Sequence, residues 1–194
     1  PEEFPSFYNI AQAVAGPCLA MATNSPILFG KRLWRETRIA LFQQAVDTRS
    51  SNLYLREMSP RVHFGTEWVR SSVTEIYKED ISRFRVIMAA EAEDALAVLG
   101  RGGVPRLNAL QLHNGTVYRW NRACYGITDG KPHLRIENRI LPSGPSVVDE
   151  VANAAFWFGV VSGLASEVGD VSTRLDFDDA KSNFIAAARL GLGA

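Results

Sequence analysis

Three observations predict an α+β fold, with an antiparallel hairpin packed on helices. Helical apolar spacing runs through the first half of the chain, most plainly in Val69, Val73, Ile76 and Tyr77, then Ile81, Phe84 and Ile87. The period then changes: TVYRWNRACYGI at 116–127 and HLRIENRIL at 133–141 read as extended, joined by a turn carrying the hairpin dipeptide Asp129-Gly130. Helical character returns at 146–165, where Ser146 can cap and Asp149 and Glu150 complement the dipole. At 194 residues the chain fits one domain, or the C-terminal part of a larger one.

Residues 7–23 read as a mostly buried helix, Ala-rich and weakened at Gly16-Pro17, with Asn24-Ser25-Pro26 as its stop. Residues 27–49 interleave Lys31, Arg32, Arg35, Arg38 and Arg49 with Leu33, Trp34, Ile39, Leu41 and Phe42; a solvated basic face is the default there, and Leu33 and Trp34 argue for partial burial. The stretch 50–66 reads as loop and 67–88 as helix. A short helix at Glu91 to Leu99 ends at Gly100-Arg101-Gly102-Gly103. Asn114-Gly115-Thr116 reads as a turn. The 146–165 helix is apolar on most sides and is therefore expected to be buried. A last helix, near 178–190, starts behind the cap candidate Asp176, with Asp178 and Asp179 in its first turn.

Lys plus Arg and Asp plus Glu are both 21, so no surplus of cations exists to neutralise a polyanion, and nucleic acid is not an expected partner. The uncharged run Phe4 to Gly30 contains Pro5, Asn9, Gln12, Gly16, Pro17, Asn24 and Pro26, which a bilayer span does not tolerate. The run Val151 to Ser166 is too short for one, so no membrane is expected. Cys18 and Cys124 are too few for a disulfide framework, and a reducing cytoplasm is the simplest compartment. Cys18 reads as a small hydrophobe, Cys124 as a bystander, and His63 as an uninvolved loop residue. A homo-oligomer remains open.

The chemistry concentrates on one strand. Alternation puts Leu134, Ile136, Asn138 and Ile140 on a core face, and His133, Arg135, Glu137 and Arg139 on the other. A hairpin centred on Asp129-Gly130 sets Arg122 opposite Glu137 and Cys124 opposite Arg135. Two readings stand: an exposed sheet face laced with ion pairs, or a site where Glu offers a hard oxygen to Mg²⁺ and Arg clamps phosphate or carboxylate.

Several motifs occur in order. Asn24-Ser25-Pro26 is followed by Gly30 and Arg38, then His113-Asn114-Gly115-Thr116-Val117-Tyr118, then Glu137-Asn138-Arg139 before a Pro-containing loop and an Ala-rich helix. This set resembles bacterial glutamate–cysteine ligases and related carboxylate–amine ligases. Asn121-Arg122-Ala123 ahead of Arg135-Ile136-Glu137-Asn138-Arg139 is similar, more distantly, to strands of glutamine synthetases. The likeness covers most of residues 7–165. It implies a glutamine synthetase-like catalytic domain, a half-open antiparallel barrel backed by helices, of which this chain is a C-terminal portion. It further implies ATP- and Mg²⁺-dependent phosphorylation of a γ-carboxylate such as glutamate's, then attack on the acyl phosphate by an amine such as cysteine's.

Carried over residue by residue, the resemblance makes Glu137 a metal ligand facing the nucleotide phosphates. Arg139 holds the glutamyl carboxylate or the transferring phosphoryl group, and Arg122 the ATP phosphates. Arg38 and His113 line the substrate or phosphate pocket, Asn121 and Arg135 belong to the same binding set, and Ser25 shapes a turn beside it. The remaining acidic metal ligands are expected on strands ahead of Pro1. The alternatives are a non-catalytic anion- or metabolite-binding module of the same fold, and an interaction domain whose charged face is only a surface.

Overall fold

Phe4–Ala13 (α1) and Ala15–Ala22 (α2) open the chain in the computed structural model, which describes residues 1–47, 49, 60–89, 91 and 93–194. The break between them falls at Val14, not at Gly16-Pro17. Pro17 is the third residue of α2, and its ring excludes the carbonyl four residues back, so the interruption appears one turn upstream. Gly16 is needed for packing: a Cβ there would lie 3.1 Å from the Asn183 carbonyl carbon.

A small antiparallel pair follows, Ile27–Leu28 (β1) with Lys31–Arg32 (β2), turned by Phe29 at φ 50° and Gly30 at φ 74°. Thr37–Ala45 forms α3. Most of the expected loop 50–66 lies outside the described residues, but Val62–His63 (β3) is a strand. It pairs in parallel with Tyr118–Arg119 (β4). The expected helix 67–88 contracts to Thr74–Arg83 (α4). Residues 67–73 are tied down instead by Glu75, whose carboxylate accepts the backbone N–H groups of Arg70, Ser71 and Ser72 at 2.8–2.9 Å. Ala95–Gly100 (α5) is capped by Asp94 and closed by Gly102 at φ 74°. Asn108–Thr116 (α6) was not expected: the supposed turn at Asn114-Gly115-Thr116 is its last turn.

The main hairpin is Asn121–Thr128 (β5) with Lys131–Asn138 (β6), turned at Asp129 (φ 51°) and Gly130 (φ 74°). Its register is the expected one, Arg122 facing Glu137 and Cys124 facing Arg135. Val147–Glu167 (α7) is capped by Ser146, and Phe177–Leu190 (α8) by Asp176. The class is therefore α+β, with eight helices and three two-stranded sheets among the described residues.

Three apolar clusters hold these elements. Leu19, Ile39, Val62, Trp120, Ile140, Phe177 and Phe184 join α2, α3, α8 and the β3–β4 pair. Ile10, Val14, Cys18, Trp157 and Val161 join α1 and α2 to α7. Phe4, Tyr8, Val69, Ile76 and Ala123 seat the hairpin on α1 and α4. The expectation that α7 is buried is corrected: Val147, Val148, Val151 and Phe158 are all more than 60% exposed. A helix apolar on every side buries only the stripe its neighbours can reach, here Trp157 and Val161. By length and composition alone α7 could cross a bilayer.

Candidate functional site

The hairpin register brings two arginines to one carboxylate. Arg122 Nη2 donates to Glu137 Oε2 at 2.6 Å and Arg122 Nε to the same oxygen at 3.2 Å. Arg139 Nε donates to the other oxygen, Oε1, at 2.7 Å. The Cys124 thiol donates to Oε2 at 3.4 Å. Partial burial works against the Glu137 charge, but the Arg139 and Arg122 guanidiniums outweigh it and hold the carboxyl at about 2. Burial pushes the Cys124 thiol up, which keeps it a protonated bystander.

Aromatic rings and a buried acid fix the arginines. The Arg139 guanidinium lies 4.2 Å above the Tyr118 ring centroid, and that of Arg38 lies 5.7 Å from Trp120. Arg38 Nη1 donates to Arg139 O at 3.3 Å and Nη2 donates to Ile140 O. Arg38 Nε pairs at 3.1 Å with Glu36, which is fully buried. Glu36 Oε2 in turn accepts the Asn24 N–H at 2.8 Å, while Ser25 Oγ accepts the Arg38 N–H at 3.2 Å. One connected network thus runs from Asn24 and Ser25 through Glu36 and Arg38 to Arg139, Glu137 and Arg122.

Two expected site residues lie elsewhere. Asn121 is fully buried on the opposite face of β5, where Nδ2 donates to Ala11 O at 3.0 Å and to Gln12 Oε1 at 2.8 Å. His113 is buried on α6 with Nε2 3.0 Å from Phe84 O. Both hold the fold and do not reach the charged face. Arg135 is on that face, exposed, and meets no carboxylate among the described residues.

Beneath the sheet lies a second ionic cluster that the sequence reading passed over. Arg119 Nε donates to both Asp80 oxygens at 3.0 and 3.1 Å, and Nη2 donates to Asp80 at 2.8 Å and Glu79 at 2.6 Å. His63 is a member and not a loop bystander: its Nε2 stands 3.6 Å from Asp80 Oδ1, just outside hydrogen-bond reach. Burial, with the charges of Arg119, Arg83 and Lys181, keeps that imidazole neutral. Burial outweighs Arg119 at Asp80 and pushes its carboxyl above the usual range. A sequence signal existed: Ile76, Asp80 and Phe84 share one helical stripe, so an acid stood in an apolar row.

Two planar forks converge on the volume around one carboxylate, the geometry that binds carboxylate or phosphate oxygens bidentately. Among the described residues no three His, Cys, Asp or Glu converge to hold a metal, and both Glu137 oxygens are engaged by guanidiniums. No protein-family model, curated protein or solved structure gives a significant match to the chain.

Proposed function

We propose that the chain is the C-terminal portion of an ATP-dependent carboxylate–amine ligase of the glutamate–cysteine ligase type, with a glutamine synthetase-like fold. The observation that carries this reading is the network just described. Residues from motifs far apart in the sequence, Asn24-Ser25, Arg38, Arg122, Glu137 and Arg139, meet in one connected cluster, while Asn138 turns to the opposite face and accepts from the Ile140 and Leu141 N–H groups. Phosphoryl transfer asks for electrostatic positioning of oxygens and little covalent work, which suits a site of guanidiniums without an activated nucleophile.

In this reading Arg122 binds ATP phosphates, and Arg139 holds the glutamate-like carboxylate or the phosphoryl group in transfer. Glu137 is the one carboxylate of this face that would offer an oxygen to Mg²⁺, and as it stands both of its oxygens are engaged by Arg122 and Arg139. Mg²⁺ would neutralise the phosphate charge. Two free cysteines agree with a reducing cytoplasm. The saturated state of Glu137 favours one rival, a non-catalytic module that binds an anionic metabolite through the same arginines.

A nucleotide titration of the full-length polypeptide with and without Mg²⁺, followed by phosphate release with glutamate and a panel of amines including cysteine, separates them. The ligase binds ATP more tightly with Mg²⁺ and releases phosphate only when both co-substrates are present. A protein that binds nucleotide or glutamate and never releases phosphate is the module.

A further inference from the structure

Arg38 and Arg139 differ in what they leave free. Every nitrogen of the Arg38 guanidinium donates inside the protein: Nε to Glu36 at 3.1 Å, Nη1 to the Arg139 carbonyl at 3.3 Å and Nη2 to the Ile140 carbonyl. On the open face of the hairpin, Arg139 donates only through Nε, to Glu137 at 2.7 Å; its Nη1 and Nη2 meet no acceptor among the described residues. Those two nitrogens form the outer edge of a planar fork, an edge that takes two oxygens of a carboxylate or phosphate side by side.

Three sets of contacts fix where that edge stands. The Tyr118 ring centroid lies 4.2 Å from the Arg139 guanidinium carbon and sets its plane. Glu137 holds Nε. The third set grips the main chain: Arg139 N–H donates to the Trp120 carbonyl at 2.8 Å, and the Arg139 carbonyl is the oxygen that accepts from Arg38. Arg38 is held in turn by Glu36, a carboxylate with no solvent exposure, which needs both oxygens engaged. One accepts from Arg38 Nε and the other from the Asn24 N–H, while the Glu36 N–H donates to the Ala188 carbonyl at 2.8 Å. A chain of contacts thus runs from the C-terminal part of α8 through Glu36 and Arg38 to the backbone of Arg139.

We propose that Arg38 and Glu36 are positioning residues and not anion ligands: together they clamp the backbone of Arg139, whose outer edge binds one carboxylate or phosphate group. The resemblance set Arg38 in the pocket lining; its committed nitrogens set it behind Arg139. That Arg139 meets an anion rests on the proposed function; that Arg38 acts only through Arg139 rests on the hydrogen bonds.

A double-mutant cycle on the full-length polypeptide tests this. Inorganic phosphate is the probe, with affinity read by phosphorus NMR titration and folded fraction by circular dichroism on the same samples. Arg139→Lys and Arg38→Lys should each weaken phosphate binding by roughly tenfold, and the two together no more than Arg139→Lys alone, because a clamp has nothing to position once the fork is gone. Glu36→Gln should weaken binding less than Arg38→Lys and also add nothing to Arg139→Lys; it carries the comparison if Arg38→Lys does not fold. Three outcomes overturn the proposal: losses that multiply in the double variant, which make Arg38 an anion ligand; unchanged affinity per folded molecule in Arg38→Lys; or a parent protein that binds no phosphate. Phosphate release from ATP is read separately. A non-additive cycle without turnover sinks the ligase reading alone, and turnover with multiplied losses sinks the positioning role alone.

Discussion

Replacing Arg119 by Met should cost more stability than any change on the open face. Arg119 is 3% exposed and Asp80 2%, and four hydrogen bonds join the guanidinium to Asp80 and Glu79. Truncation leaves the Asp80 carboxylate buried and unpaired, a loss of about 3–5 kcal/mol. At about 2–4 °C per kcal/mol for a chain of this size, Tm should fall by about 6–20 °C in a thermal melt at pH 7. The pH dependence has a definite sign. Burial already raises the Asp80 pKa, and losing Arg119 raises it further. A folded-state pKa above the unfolded value of about 3.9 destabilises as pH rises from the unfolded toward the folded value. The deficit should therefore be small near pH 4 and full at neutrality, and Asp80→Asn in the same chain should recover part of it. A Tm within about 2 °C of the parent at pH 7, or a deficit independent of pH, would refute the buried-pair argument.

On the open face, the proposed ligase reading predicts that Glu137→Gln and Arg139→Lys each lower turnover of the full-length protein by roughly 10²-fold, about 2.7 kcal/mol. Because these pairs are partly exposed, each should cost stability only about 0–1 kcal/mol; a collapsed Tm with intact turnover per molecule would make them structural. Glu137 and Glu75 both sit at about 2: partial burial of each is outweighed, by Arg139 and Arg122 in one case and by the Arg70, Ser71 and Ser72 hydrogen bonds in the other. Lowered folded-state values stabilise above the unfolded value of about 4.3, so urea midpoints should fall progressively from about pH 5 to 2; flat midpoints would contradict this. Asp176→Ala removes the acceptor of the Asp178 N–H at 2.8 Å and should cost about 1 kcal/mol in urea denaturation, with Asp176→Asn close to the parent.

The hairpin was legible because its signals are local. Asp129-Gly130 fixes the turn, and strict alternation fixes which side chains share a face, so the Arg122–Glu137 pairing followed from counting. The caps Ser146 and Asp176 were legible for the same reason. Tertiary facts were not. Asn121 neighbours Arg122 in sequence but points into the core, as adjacent strand residues must. His113 was placed at the site only by the resemblance of its motif, yet it serves the Phe84 carbonyl. Arg119 alternates with Tyr118 and Trp120, a pattern that suits a solvent face as well as a buried pair, and only Asp80 arriving from α4 decides between them. The burial of α7 failed because composition reports that a surface is apolar and not whether a neighbour reaches it.

Hydroxylamine trapping tests most directly whether this guanidinium face activates a carboxylate. The full-length polypeptide is incubated with ATP, Mg²⁺, glutamate and hydroxylamine, and the γ-hydroxamate is measured by mass spectrometry. An acyl phosphate intermediate predicts hydroxamate that requires all three of ATP, Mg²⁺ and glutamate and that falls about 10²-fold in Arg139→Lys. Nucleotide binding with no hydroxamate, or hydroxamate indifferent to Arg139→Lys, would contradict the account.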